Sequence, residues 1–530
     1  MSCEAASSNT PADSTGAQPD GETGAKRERS YKNILASSAL IGGSSALNIF
    51  IGILRTKALA LMLGPAGYGI MGAYGLITEL TRSIAQLGVN SSGVRQIADA
   101  VATGDQKRIE QTVSVLRWIS IFCAFLGGIS LVILSESIAQ FSFENTQHSH
   151  DIAWLSIAVF CMIIAGGQGA LLQGMRRIAE IARVSVLGGL MGTAIAVVMV
   201  YCYGEKGIAP SMIIVAACSM AVSWWYSRKL NIRAHAVSPE NLIAESSVLF
   251  KLGLAFLGSA LLMQGAAYAV RIIILRNAGL ESAGVYQAAW TLGGLYIGFI
   301  LNAMGTDFYP RLVGVAQNNA ECNRMVNEQA HVSLLLALPG VLATIVFAPL
   351  VISLFYSSKF SASVEVLRWI CLGMGIRVLI YPLGYIVVAK NLRVLFIAMD
   401  ATWVVVNLVL TYWWVQVLGA VGAGMAYTAA YVLHGVIVCL LVRRVSGFRW
   451  DIPVRQTAFL FVAMSIGVFL TSTKLPTLAA VLVGLLAVTA ATAYSARSLL
   501  ILVEPQHLPA KLRRLFSLIS RLRYGKRTVQ

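Results

Sequence analysis

From about Asn33 to about Leu500 the chain alternates between apolar runs and short polar segments. Each run is about 20 residues long, and at 1.5 Å of rise per residue a helix of that length crosses about 30 Å of hydrocarbon. The pattern predicts about fourteen transmembrane helices, beginning near Asn33, Gly69, Leu116, Ile152, Ile181, Ile208, Val248, Ala283, His331, Val364, Val394, Ala420, Thr457 and Leu475. The polar connector at 227–247, "SRKLNIRAHAVSPENLIAESS", divides the first twelve into two sets of six, at 31–226 and 248–444. Two additional spans follow at 445–500. Residues 1–30 lack an apolar core and read as a disordered cytosolic tail. Residues 501–530 form a basic tail in which Leu512, Leu515, Phe516, Ile519 and Leu522 share a helical face, a pattern suited to lying on a membrane surface.

Composition agrees with an all-α polytopic membrane protein: 57% of the 530 residues are hydrophobic and only 12% charged, against about 25% charged in soluble domains. The net charge of +17 would suggest nucleic acid in a soluble chain. Here the cations gather in alternate loops, such as Arg95, Lys107 and Arg108, or Arg228, Lys229 and Arg233, while the opposite loops are nearly empty of them. That alternation encodes orientation, excludes nucleic acid as a partner, and places both termini in the cytoplasm. Arg55, Lys57, Arg271 and Arg276 break it, falling at or near the outer ends of spans one and seven. The eight cysteines include no C-x-x-C pair and suggest neither a disulfide framework nor a metal site.

The two halves resemble each other where span two meets span eight. "GPAGYGIMGAYGL" at 64–76 parallels "GLESAGVYQAAWTL" at 279–292, matching Gly64 to Gly279 and Gly69 to Gly284, with Arg55 within one residue of Arg271. Internal repeats of this kind are frequent in transporters.

No Walker A loop, G-x-S-x-G or H-E-x-x-H is present, and the outer loops are short, so nothing points to an enzyme, a cofactor or a metal. The chemistry lies in ionisable groups within the spans, which cost several kcal/mol to bury in lipid and mark functional sites. They are Arg55, Lys57, Glu79, Arg82, Arg271, Asp307, Arg377 and Asp400. Arginines outnumber carboxylates, which suits an anionic substrate, since guanidinium groups grip phosphate bidentately. Glu79, Asp307 and Asp400 are the candidates for proton or sodium coupling. Tyr74 and Trp290 are candidate stacking partners for sugars. Lys57, two residues from Arg55 and so on another helix face, is expected to reach the outer headgroups.

The order "ILRTKALALMLGPAGYGIMGAYGLITELTRSIAQLGVNSSGVRQIA" resembles the opening of oligosaccharide flippases of the Wzx type, in the MOP superfamily. "DFYPRLVG", "KFSASVEVLRWICLGMGIRVLIYPLGYIVVAKNLRVLFIAMD" and "LGAVGAGMAYTAAYVLHGVIVCLLVRR" extend the likeness, toward flippases of enterobacterial lipid III, over residues 31–444. The resemblance implies two pseudo-symmetric six-helix bundles around a central cavity. It implies transfer of an undecaprenyl-diphosphate-linked oligosaccharide across the bacterial inner membrane for polysaccharide or lipopolysaccharide synthesis, beside membrane lipids and polymerase or glycosyltransferase partners. It also implies that Arg55 and Arg82 face the cavity. Gln86 stands where related lipid II flippases carry an acidic residue, and the last two spans exceed the twelve of the lipid III flippases. The alternative is a multidrug exporter of the MATE type, which would favour unpaired carboxylates in its cavity.

Overall fold

The computed structural model describes residues 20–230, 232, 239–474 and 477–502. Its helices are α1 (Asp20–Gln86), α2 (Val89–Thr103), α3 (Gln106–Phe143), α4 (Ser149–Gly174), α5 (Ile178–Tyr203), α6 (Ile208–Arg228), α7 (Pro239–Ala303), α8 (Tyr309–Gly314), α9 (Asn319–Val346), α10 (Ala348–Phe355), α11 (Ser363–Ala389), α12 (Arg393–Leu418), α13 (Ala420–Ser446), α14 (Ile452–Lys474) and α15 (Thr477–Leu502). Among the described residues, 11 helical stretches are long and apolar enough to cross a membrane. Three of these contain a reversal, within α1, between α5 and α6, and within α7. The fourteen predicted crossings are accounted for on that basis.

The reversals within α1 and α7 need no loop. Gly64 adopts φ 64°, ψ −174° and Gly279 φ 83°, ψ 175°, a left-handed φ that glycine adopts at little cost. Pro65 then starts the next helix with its φ already set. Folding back at Gly64 is what allows Arg55 and Glu79 to line one cavity.

The pairing of helices repeats. In the first half α3 packs on α4, α4 on α6, α5 on α6, and α1 on α5; in the second, α9 packs on α11, α11 on α13, α12 on α13, and α7 on α12. The interval that separates Gly64 from Gly279 also separates Gly204 (φ 57°, ψ −134°) from Gly419 (φ 58°, ψ −140°), and Arg176 (φ 55°) from Asn391 (φ 58°). The two bundles are therefore pseudo-symmetric. One core is built on Leu116, Ile152 and Leu155, the other on Leu334, Leu367 and Ile370. α14 and α15 pack against α9 and each other at the periphery. Apolar side chains such as Phe459, 77% exposed, and Ile133, 73% exposed, face outward as lipid contacts require.

Three sequence expectations shift. α1 begins at Asp20, inside the stretch read as an unstructured tail. Arg95, read as a loop residue, lies on α2, a helix separated from α1 only by Leu87 (φ 47°) and Gly88 (φ 72°). Span two is thus a long discontinuous helix, of the kind transporters use to build sites within the membrane. α7 begins at Pro239, within the connector. The amphipathic C-terminal segment lies outside the described residues.

Candidate functional site

A cavity of about 780 Å³ lies chiefly within the first bundle, with α7 closing one side. Arg55 and Thr56 reach it from the first limb of α1, Gly75, Glu79 and Arg82 from the second, Ser211 and Ser219 from α6, and Arg271 and Gln287 from α7. Glycines 72 and 75 keep the wall low on the α1 side.

Arg271 is only 8% exposed and forms no ion pair with a carboxylate among the described residues. Burying a lone cation is costly. Its guanidinium is held instead by Nε donating to Gln287 Oε1 at 2.7 Å and by a terminal nitrogen donating to the Ala267 carbonyl at 3.1 Å. The rings of Tyr286 and Trp290, centred 5.7 and 5.8 Å from its Cζ, add cation–π attraction.

Arg82 is braced within its own helix. Its Nε donates to Glu79 Oε2 at 2.9 Å, a second nitrogen pairs with Glu79 Oε1, and a third donates to Gln86 Oε1 at 2.7 Å. Glu79, one helical turn earlier, neutralises it. Gln86 also accepts from Asn90 Nδ2 at 3.3 Å, across the break that follows, and its own Nε2 has no partner among the described residues. Arg55 is half-buried and forms no hydrogen bond or ion pair among the described residues. Lys57 is absent from the cavity wall. Three arginines thus face one carboxylate, and a cavity so lined favours anions.

Two sequence candidates sit elsewhere. Tyr74 is 1% exposed and absent from the cavity wall, donating to Asp151 Oδ2 at 2.9 Å and sharing a 2.9 Å hydrogen bond with His148 Nδ1. Trp290 stands behind Arg271, stacked on Tyr286 at 6.0 Å and edge-on to Tyr427 at 5.3 Å. Of the coupling candidates, Asp307 is exposed and pairs with Arg311 at 3.5 Å, on the π-helical turn Met304–Phe308. Asp400 lines a second cavity, of about 710 Å³, in the other bundle. Gln287 and Gln86 are the groups that sequence reasoning passed over. Neither carries charge, and only their contacts with arginine distinguish them from packing residues.

The chain is 23% identical over 420 residues to the lipid III flippase of Escherichia coli (strain K12), covering 77% of this chain and 97% of that relative. Its fold resembles the lipid II flippase MurJ in an inward closed conformation, with a TM-score of 0.63 at 13% identity over 88% of this chain and 99% of that one. It also resembles an inward-facing multidrug resistance MATE family transporter of the MOP superfamily, with a TM-score of 0.63 at 14% identity over 76% and 94%. Residues 58–365 match the family described as polysaccharide biosynthesis protein, and the chain belongs to that family.

Proposed function

We propose that the protein moves an undecaprenyl-diphosphate-linked oligosaccharide from the inner to the outer leaflet of a bacterial cytoplasmic membrane by alternating access between its two bundles. The observation that carries this reading is the cavity wall, where Arg55, Arg82 and Arg271 face the single carboxylate Glu79. A diphosphate is the part of such a substrate least able to enter lipid, and three guanidinium groups offer it charge-assisted hydrogen bonds. Arg55, with no hydrogen bond or ion pair among the described residues, takes the first contact. Arg82 and Arg271 are held in place by Glu79, Gln86 and Gln287. The prenyl chain stays in the bilayer while the sugars cross the cavity. Both termini face the cytoplasm, and a polymerase or glycosyltransferase on the far side consumes the product.

The lipid III flippase similarity supports this reading. The MATE likeness is one of fold, and a cavity dominated by arginine repels the cationic drugs such an exporter would carry. The test is reconstitution in proteoliposomes with a fluorescent prenyl-diphosphate-linked N-acetylglucosamine. Wild-type protein should move the lipid to the opposite leaflet, whereas Arg55→Ala and Arg82→Ala should insert normally and stall. Full translocation by both variants would overturn the assignment.

A further inference from the structure

The second cavity lies in the C-terminal bundle, bounded by α7, α11, α12 and α13. Its wall differs in kind from that of the arginine cavity. Arg377 enters from α11 and Asp400 from α12, yet the two form no ion pair, and Asp400 makes no hydrogen bond among the described residues. The Arg377 guanidinium lies 5.8 Å from the ring centres of both Tyr381 and Tyr431. Trp403 is 7% exposed, packs 5.1 Å from Tyr431, and its Nε1 donor has no partner among the described residues. The same holds for His434 Nδ1, whose residue lines the same wall.

Arg377 is hydrogen-bonded to Tyr427, but an acyl chain would leave the Asp400 carboxylate unsatisfied. A small ion would leave the aromatic faces unused. The set calls for a rigid ligand with an apolar face to stack on a ring and a periphery of donors and acceptors, which describes a pyranose. Tyr385 extends the aromatic wall, 5.3 Å from Tyr381 and 5.3 Å from Tyr309. The cavity is also connected to the first by side chains: from Arg271 a run of rings passes through Trp290, Tyr427 and Tyr431 to Arg377, with centroid separations of 5.3 and 4.8 Å along it.

We propose that this second cavity is a glycan subsite, in which a pyranose of the lipid-linked oligosaccharide stacks on the Tyr381 and Tyr385 rings while Asp400 accepts its hydroxyls and Arg377 donates to its ring substituent. The proposal rests on the flippase reading, because the sugar arrives joined to the diphosphate held by the N-terminal arginines.

Saturation-transfer NMR on the purified full chain in nanodiscs tests it, with methyl β-D-glucopyranoside, its N-acetylamino analogue and methyl β-D-glucuronide as probes. Transfer to ring protons is expected for wild type and for Lys57→Ala, a cation outside both cavities. Tyr381→Leu, Asp400→Asn and Arg377→Met should each weaken binding about tenfold, the effect of losing one well-placed stacking or charge-assisted contact. The mild Asp400→Asn change guards against misfolding as the cause. If the glucuronide alone loses binding in Arg377→Met, the substituent is acidic. No transfer in wild type, or transfer unchanged in all three variants, overturns the subsite. Glycoside binding without lipid translocation would instead overturn the flippase reading and leave the subsite standing.

Discussion

Gly69 and Gly284 meet backbone to backbone at the tips of the two hairpins. A β-carbon placed on Gly69 would lie 2.9 Å from the Gly284 nitrogen and would collide with the Leu280 carbonyl. One placed on Gly284 would lie 3.0 Å from the Gly69 nitrogen and would collide with the Pro65 carbonyl. Each residue occupies in its own bundle the place its counterpart occupies in the other, so the contact runs along the pseudo-two-fold axis relating them. Beside it, Tyr68 packs edge-on against Tyr356 at 5.4 Å, joining the bundles further.

Gly69→Ala or Gly284→Ala should part this seam. Backbone atoms cannot rotate aside as a side chain can, so each change should cost about 1–3 kcal/mol of overpacking. Thermal unfolding in detergent should show a lower Tm for both, and transport should fall. Gly298→Ala, where nothing lies within 4 Å of the added carbon, should behave as wild type.

Arg271 should not be fully replaceable even by lysine. Its Nε bond to Gln287 and its contact with the Ala267 carbonyl use two directions of a planar fork that an ammonium lacks. Arg271→Ala should reduce translocation about tenfold or more, the loss of one charge-assisted contact, with Arg271→Lys recovering part. Gln287→Leu leaves a buried charged donor unpaired and should destabilise the protein by about 1–3 kcal/mol. Proteoliposome flux and unfolding curves measured side by side separate the two effects.

Glu79 competes with any bound anion for Arg82. Glu79→Gln should release the guanidinium and strengthen binding of inorganic diphosphate about fivefold, equivalent to removing roughly 1 kcal/mol of ion-pair energy. Calorimetric titration of the two proteins reads this directly. Weaker binding by Glu79→Gln would mean that the carboxylate positions Arg82 and does not oppose the ligand.

The contact of Tyr74 with His148 should be sensitive to acid. His148 lies between α3 and α4, where burial lowers its pKa from the ordinary 6.5, with Asp151 and Glu205 pulling the other way. A histidine whose folded pKa is depressed takes up a proton more readily when unfolded. Its contribution is therefore intact above about 6.5 and is lost as the pH falls through the folded value. The Tm of wild type should drop over that window, and that of His148→Gln should drop less.

The arginines were legible because a charge within an apolar run is conspicuous, and Arg55, Arg82 and Arg271 stood out before any geometry was known. The matched glycines were legible for a related reason: Gly64 and Gly279 take a left-handed φ that admits few other residues, and Gly69 and Gly284 stand where two backbones touch. Tyr74 was not: a tyrosine in a span has the same letter whether it faces a cavity or, as here, a histidine and an aspartate outside it. Arg377 and Asp400 stand on separate helices, and only the packing of α11, α12 and α13 brings them to one cavity. The break at Leu87 left no signal, because leucine rarely takes a positive φ. The repeat at Gly204 and Gly419 could have been found from the shared G-x-x-G spacing of "GEKG" and "GAVG", although the sequence around them has diverged.

The excess of arginine over carboxylate in the first cavity also governs the empty protein. A half-enclosed space bearing three fixed cations and one fixed anion draws mobile anions from the medium until the charge is balanced. On the proposed reading, loading is an exchange in which an incoming diphosphate displaces mobile anions. Its apparent affinity should then fall as salt rises, in proportion to the ions released, and the cavity should refill with anions each time the lipid leaves.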